Sequence, residues 1–170
     1  MTIRYATHIT PLGPMVLAAC PDGLCGAWFE GQAHFDGIRD DWREDRHAPP
    51  LSEAARQLDE WFAGTRTAFD LPLAPRGTPF QHAVWREIAT IAFGVTDRYG
   101  AVAQRLGKPA AARAVGAATG RNPLSIIVPC HRVQGGDGAL TGYAGGLPRK
   151  RALLAFEAAR GAPAAVPPPL

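Results

Sequence analysis

The 170-residue chain has only three cysteines, Cys20, Cys25 and Cys130. So odd and sparse a set, without framework spacing, excludes a disulfide-stapled mini-domain and leaves free thiols, as in a reducing compartment. No signal peptide is expected: the N-terminus does not read as a positively charged leader, and Thr10, Pro11 and Gly13 interrupt the first apolar stretch, while no uninterrupted apolar run is long enough to span a membrane. A cytoplasmic protein without a membrane partner is therefore expected. Acidic residues are missing from one region. Residues 98–151 hold 9 Lys and Arg against Asp137 alone, a net of +8, whereas residues 1–97 hold 8 against 13, a net of −5. Charge alone fits a polyanion partner on one side of the molecule and a solvated basic face equally well. An apolar fraction of 46% and a charged fraction of 19% are ordinary for a globular protein with one domain or two small ones.

What is present begins as hairpins. Ile3 to Ile9 and Met15 to Ala19 flank the turn signal Thr10-Pro11-Leu12-Gly13-Pro14, and Pro21-Asp22-Gly23 leads into a third strand, Leu24 to Phe29. The charged stretch Arg39 to Arg46 is expected on the surface. Ser52 is placed to cap a helix through Ala63, with Leu51, Ala55, Leu58 and Phe62 on one face and Gly64 past its end. Leu71 to Gly77 reads as an extended linker. Beyond it, Thr78 with Gln81 forms a capping box and Pro79 takes the first helical position. The stripe Phe80, Val84, Ile88 and Ile91 follows, with Trp85 beside it. Two short helices, Tyr99 to Leu106 and Pro109 to Thr119, join at Gly107-Lys108 in a helix-turn-helix pattern, which also occurs in proteins that never touch DNA. A last helix runs from Pro148 to Ala159. The expected class is α+β, with a small antiparallel sheet and a helix over residues 1–75 and a mostly helical domain over 76–160. The Pro- and Ala-rich residues 161–170 read as a disordered tail.

Two of these segments carry chemistry. The helix from Pro109 to Ala118 is almost all small residues around Arg113. A tightly packed core helix accounts for the alanines but not the arginine; close approach to a shallow DNA groove accounts for both. Further on, the strand-like run Ile126-Ile127-Val128 stops at Pro129-Cys130-His131-Arg132-Val133. Only a thiolate attacks strongly, and a free thiol with pKa about 8.5 is only slightly ionised at neutral pH, so a reactive cysteine needs a neighbour such as His131. Glu157 shares the apolar stripe of the last helix with Leu153 and Leu154. It either lies at the edge of the core or orients the imidazole as the third member of a relay. Cys20 and Cys25, near His34, read as hairpin packing rather than zinc ligands. His8, His47 and His82 read as ordinary histidines.

From Tyr99 to Glu157 the chain resembles the O6-alkylguanine-DNA alkyltransferase family. The matching pieces are Tyr99-Gly100, Ala112-Arg113-Ala114-Val115-Gly116, Asn122-Pro123, Pro129 to Val133, Gly142-Tyr143-Ala144-Gly145-Gly146, Lys150 and Glu157, in the family's order and spacing. Phe80 to Trp85 resembles the family's helix entry. The N-terminal part matches in its strand-and-turn character and in Thr10-Pro11-Leu12-Gly13.

The resemblance implies an RNase H-like N-terminal domain and a winged helix-turn-helix-like DNA-binding unit. It implies a suicide methylated-DNA–protein-cysteine S-methyltransferase. Such a protein flips O6-alkylguanine, and O4-alkylthymine, out of double-stranded DNA and moves the alkyl group irreversibly to Cys130, once per molecule. His131, oriented by Glu157 (in the family through a water), accepts the thiol proton, and Asn122 braces the turn. Tyr99, the backbone at Tyr143 and Ala144, and the carbonyls of Cys130 and Val133 contact the base. Ala112, Arg113, Ala114 and Gly116 meet the minor groove, where Arg113 fills the vacated space and Tyr99 presses the adjoining phosphate. No cofactor and no metal is implied; a monomer is expected, with clustering on DNA left open. Three positions depart from the family pattern. Ala144 stands where some members carry serine, Asp97-Arg98 where many have Thr-x-Ser, and Thr119 where an apolar residue is common. A lesion binder without chemistry, a cysteine hydrolase and a transcription factor are weaker readings. The first and last leave Cys130 idle, and the hydrolase leaves the basic helices without a role.

Overall fold

The computed structural model describes residues 1–136 and 142–160; Asp137 and the tail over 161–170 lie outside the described residues. The chain forms two compact units, Met1–Arg76 with Pro123–Ile127, and Gly77–Asn122 with the chain from Val128 onward.

The first unit is a four-stranded sheet carrying one helix. Strands β1 (Arg4–Thr10), β2 (Gly13–Cys20) and β3 (Gly23–Phe29) are antiparallel, and β4 (Arg43–Glu44) pairs parallel with β1, giving the order β3-β2-β1-β4. The sheet is therefore mixed rather than purely antiparallel. The exposed charged stretch supplies its short edge strand, as charged edges commonly do. Thr10 closes the first hairpin, its hydroxyl donating to the Gly13 carbonyl at 2.7 Å and accepting from the Leu12 N–H at 3.2 Å. Helix α1 (Pro49–Ala63) starts earlier than expected. Its N-cap is Ala48, with proline in the first turn instead of a side-chain cap, and Ser52 lies inside it. Its buried face is Leu51, Ala54, Leu58 and Trp61, which with Met15, Leu17, Leu24 and Phe29 makes the core. Phe62 is only half-buried, so the apolar face lies one position from the expected one.

Two segments expected elsewhere join this sheet. The proline-rich stretch after α1 is not a free linker. The Leu24 N–H donates to the Pro72 carbonyl and Ala74 N–H to the Leu24 carbonyl, each at 2.8 Å, against Gly23, where a Cβ would lie 2.5 Å from the Pro72 oxygen. On the same strand, Ala27 donates to the Pro123 carbonyl at 2.8 Å and accepts from the Ser125 N–H at 2.9 Å. The buried Gln32 fixes this segment. Its Oε1 accepts from the Phe29 N–H at 2.8 Å and the Ser125 hydroxyl at 3.1 Å. The run Ile126 to Val128 is buried but is not a strand, because Ile126 sits at φ 72°, a strained value for a β-branched residue that persists only where surroundings fix it.

The second unit is mostly helical. Helix α2 (Pro79–Ala89) has the full capping box, with Thr78 accepting from the Gln81 N–H and Gln81 accepting from the Thr78 N–H. Strand β5 (Asp97–Arg98) leads into α3 (Tyr99–Arg105) and α4 (Ala112–Gly120), and β6 (Val133–Gln134) pairs parallel with β5. The helix expected from Pro109 begins at Ala112. Lys108 to Ala111 forms a turn, in which the Ala111 N–H bonds the Lys108 carbonyl at 2.8 Å. Helices α2, α3 and α4 pack together around Val84, Ile88, Val102, Ala103 and Val115, and the buried Trp85 indole donates to the Ala118 carbonyl at 2.9 Å. Helix α5 (Leu147–Arg160) packs against the turn that carries Cys130. Among the described residues, no helix is long and apolar enough to cross a membrane.

Candidate active site

Cys130 stands on a compact irregular turn. Pro129, at φ −81° and ψ 64°, makes an inverse γ-turn in which the Cys130 N–H donates to the Val128 carbonyl at 2.8 Å. Cys130–Arg132 is then one 3-10 turn. Adjacent side chains diverge in a strand or an α-helix, and this irregular turn departs from both. The buried Asn122 amide donates to the same Val128 carbonyl at 2.8 Å and also reaches Cys130. Asn122 thus ties the end of α4 to the cysteine.

The site concentrates charge in the interior. Glu157 accepts from His131 Nε2 at 2.6 Å, a direct contact. The same carboxylate is forked by Arg132, whose Nε lies 2.9 and 3.0 Å from its two oxygens and whose Nη2 lies 2.8 Å from Oε2. The Gly94 N–H donates to Oε1 at 3.1 Å. Arg132 Nη1 donates to the Ile91 carbonyl at 2.6 Å, and its guanidinium lies 5.7 Å from the centre of the Phe93 ring. The fully buried Lys150 donates to the Val133 carbonyl at 2.8 Å.

Each ionisation follows from these neighbours. Burial opposes the Glu157 charge, but the His131 and Arg132 hydrogen bonds outweigh it and bring its pKa down to about 2. Burial pushes the Cys130 thiol up, against the pull of the Asn122 amide, Lys150 and the backbone N–H groups of Cys130 and His131. Burial also holds the imidazole of His131 low, with Glu157 opposing. A carboxylate only accepts, so Nε2 of a neutral His131 carries the proton and Nδ1 is its basic nitrogen. Burial thus favours the protonated thiol and the uncharged imidazole, while the Asn122 amide and Lys150 act on the sulfur in the opposite sense.

The other expected residues are placed as follows. Tyr99 opens α3, and Gly116 on α4 lies against it; a Cβ there would sit 3.9 Å from the ring. Arg113 and Ala114 are exposed on α4, with Ala112 half-buried, so this face offers small residues and one arginine. Tyr143 and Ala144 are half-buried in a turn closed by the Gly146 N–H on the Tyr143 carbonyl at 2.8 Å. The Val133 carbonyl already serves Lys150, and Cys130's accepts from the Val133 N–H. Of the departures, the Thr119 hydroxyl is spent on the Val115 carbonyl at 2.7 Å, and Asp97 pairs with Arg105 at 2.7 Å. Cys20 and Cys25 are free, half-buried thiols. Partial burial, with Cys20 beside it, raises the Cys25 thiol to about 11. Among the described residues, no group of three His, Cys, Asp or Glu could hold a metal.

Sequence reasoning missed Arg132 as a partner of Glu157. The signal available was an arginine next to the Cys-His pair in an apolar context, where a buried cation demands a buried anion.

Comparison with known proteins agrees with this architecture. The family model described as 6-O-methylguanine DNA methyltransferase, ribonuclease-like domain, matches residues 3–75, and that described as its DNA binding domain matches residues 79–159. A methylated-DNA–protein-cysteine methyltransferase of Mycobacterium tuberculosis is 48% identical over 158 residues, 93% of this chain and 94% of its own. One from Methanosarcina acetivorans is 46% identical over 154 residues, covering 90% and 97%. The crystal structure of Mycobacterium tuberculosis OGT in complex with DNA has a TM-score of 0.84 at 46% identity, over 94% of each chain. The chain belongs to the O6-alkylguanine-DNA alkyltransferase family.

Proposed function

We propose that this protein repairs alkylated DNA by moving the alkyl group from guanine O6 to Cys130, once per molecule. The observation that carries the reading is the buried Cys130 on its 3-10 turn next to the His131–Glu157 pair, where burial raises the thiol and the Asn122 amide, Lys150 and two backbone N–H groups offset part of that rise. In the transfer step the Cys130 S–H bond gives its proton to His131 Nδ1, the sulfur bonds to the alkyl carbon, and the carbon–O6 bond breaks with its electrons going to guanine. The Tyr99 hydroxyl donates to the ring nitrogen that gains charge. The Ala144 backbone N–H steadies O6, and the carbonyls of Cys130 and Val133 accept from the guanine amino group. The product is a thioether without an acidic proton, which is a poor leaving group, so Cys130 is spent. No cofactor enters this balance.

A base inside a duplex cannot reach a buried sulfur, so the nucleotide is turned out of the stack. The small-residue face of α4 approaches the minor groove, Arg113 fills the vacated space and Tyr99 presses the phosphate beside it. Minor-groove docking carries little sequence information, which suits repair wherever the lesion lies. The same pocket accepts O4-alkylthymine, whose alkyl oxygen has the equivalent position. The monomer is the acting unit, and the uncapped net charge of the 98–151 region supplies the salt-dependent grip on DNA. The test of flipping is Arg113→Ala. Repair of duplex DNA should fall at least tenfold while reaction with a free O6-alkylguanine base stays near wild type; equal losses on both would contradict the role of the arginine.

A further inference from the structure

The charges around His131 do more than hold it in place. A buried carboxylate 2.6 Å from an imidazole, acting alone, would draw a proton onto the ring. An imidazolium cannot accept the thiol proton, so a buried carboxylate with no second partner would weaken the base that it orients. Here the carboxylate is shared. Arg132, whose guanidinium never deprotonates, donates to both Glu157 oxygens at 2.8 to 3.0 Å, in the forked geometry that makes such pairs strong. It is itself fixed by the Ile91 carbonyl and the Phe93 ring.

We propose that Arg132 is a positioning residue that sets the proton inventory of the site, neutralising Glu157 so that His131 rests as an uncharged base. The charge count on every packed element supports this. The 3-10 turn supplies Arg132 and α5 supplies Lys150 and Glu157, so His131 has one carboxylate and two cations around it, of which Arg132 bonds the carboxylate. The other charges of α5 lie elsewhere, with Arg149 on the Gly145 carbonyl, Arg151 exposed and Arg160 over the Phe156 ring. Helix α2, which also packs on the turn, adds no further charge to that balance. Its His82 lies edge-on to Trp85, Arg86 is exposed and Glu87 is tied to Arg105. The direction of the His131 shift agrees, since burial, Arg132 and Lys150 all lower it against Glu157. Arg132 touches neither substrate nor sulfur in this account; it acts through Glu157 on His131. The inference rests on the transfer reading above for its kinetic arm only.

The test uses the full chain. Imidazole nitrogen NMR of wild-type protein should show His131 neutral, with the proton on Nε2, at neutral pH; an imidazolium there would overturn the proposal. In Arg132→Gln the ring should take up its proton about one pH unit or more higher. The acid limb of single-turnover transfer from free O6-alkylguanine should move by the same amount. Arg132→Lys, which keeps the charge and loses the fork, should recover most of the wild-type profile. A folded Arg132→Gln variant with wild-type titration and acid limb would refute the idea, as a purely structural role predicts. If that variant does not fold, the wild-type NMR state decides. A neutral His131 in a wild-type protein that transfers no alkyl group would leave this inference standing and sink the transferase reading instead.

Discussion

The two units solve burial differently. In the first, the buried polar side chains are Thr10, Gln32, Gln57 and Ser125, all neutral; in the second they include His131, Arg132, Lys150 and Glu157, all within thirty positions of Cys130. A neutral amide in the interior needs only its hydrogen bonds, whereas a buried charge keeps a penalty of several kcal/mol unless it is paired. A chain selected for stability alone would use the first solution throughout. The second unit departs from it around Cys130, where the proposed transfer needs a thiol, a base and fixed charges shielded from water. The contrast points to the same place in the chain as the Cys-His motif.

Breaking the charged solution should have the largest effect. Glu157→Gln leaves the Arg132 guanidinium buried without its anion, which costs about 3–5 kcal/mol of stability. It also takes the orienting partner from the base, slowing transfer about 100-fold in whatever protein remains folded. Acid should separate the two forms. Glu157 is held at about 2, below its ordinary value, so its contribution to stability is complete above the unfolded carboxyl pKa and disappears as pH falls through about 2. Denaturant melts over that window should show wild type losing stability and Glu157→Gln lacking that component. Breaking the neutral solution should cost less. Gln32→Leu leaves the Phe29 N–H and the Ser125 hydroxyl without their acceptor, and should cost about 1–3 kcal/mol, with no acid-dependent component. An acid-sensitive loss in that variant would erase the contrast. The smallest effect belongs to a feature outside both. Thr78→Ala removes the cap of α2 and should cost about 1 kcal/mol by thermal melting, with transfer unchanged.

Local signals in the chain translate directly into the structure where they are short-range. The capping box at Thr78, the Thr10 turn and the αL glycine after α1, Gly64 at φ 82°, are all where residue chemistry puts them. Long-range choices are not legible in that way. Nothing local says that Pro72 and Leu124 lie along β3, because those pairings depend on backbone groups rather than side-chain pattern. The run Ile126 to Val128 has the composition of a strand and forms a strained turn, because tertiary bonds at Ser125 override propensity. At the site, Cys130, His131 and Glu157 were legible from chemistry and spacing. Arg132 was not, because its role exists only when a residue 25 positions away folds back onto it. The sequence also left open whether Glu157 lies at the core's edge or orients the imidazole; the structure buries it fully among three donors, His131, Arg132 and the Gly94 N–H.

The central claim is that Cys130 is a one-use acceptor made reactive by the buried cluster. It is tested most directly by peptide-resolved mass spectrometry after incubation with an excess of duplex carrying O6-methylguanine. The account predicts one methyl group per protein, located on Cys130, with the reaction stopping at one equivalent. Methyl groups on another residue, repeated turnover, or an unmodified Cys130 in folded protein would contradict it.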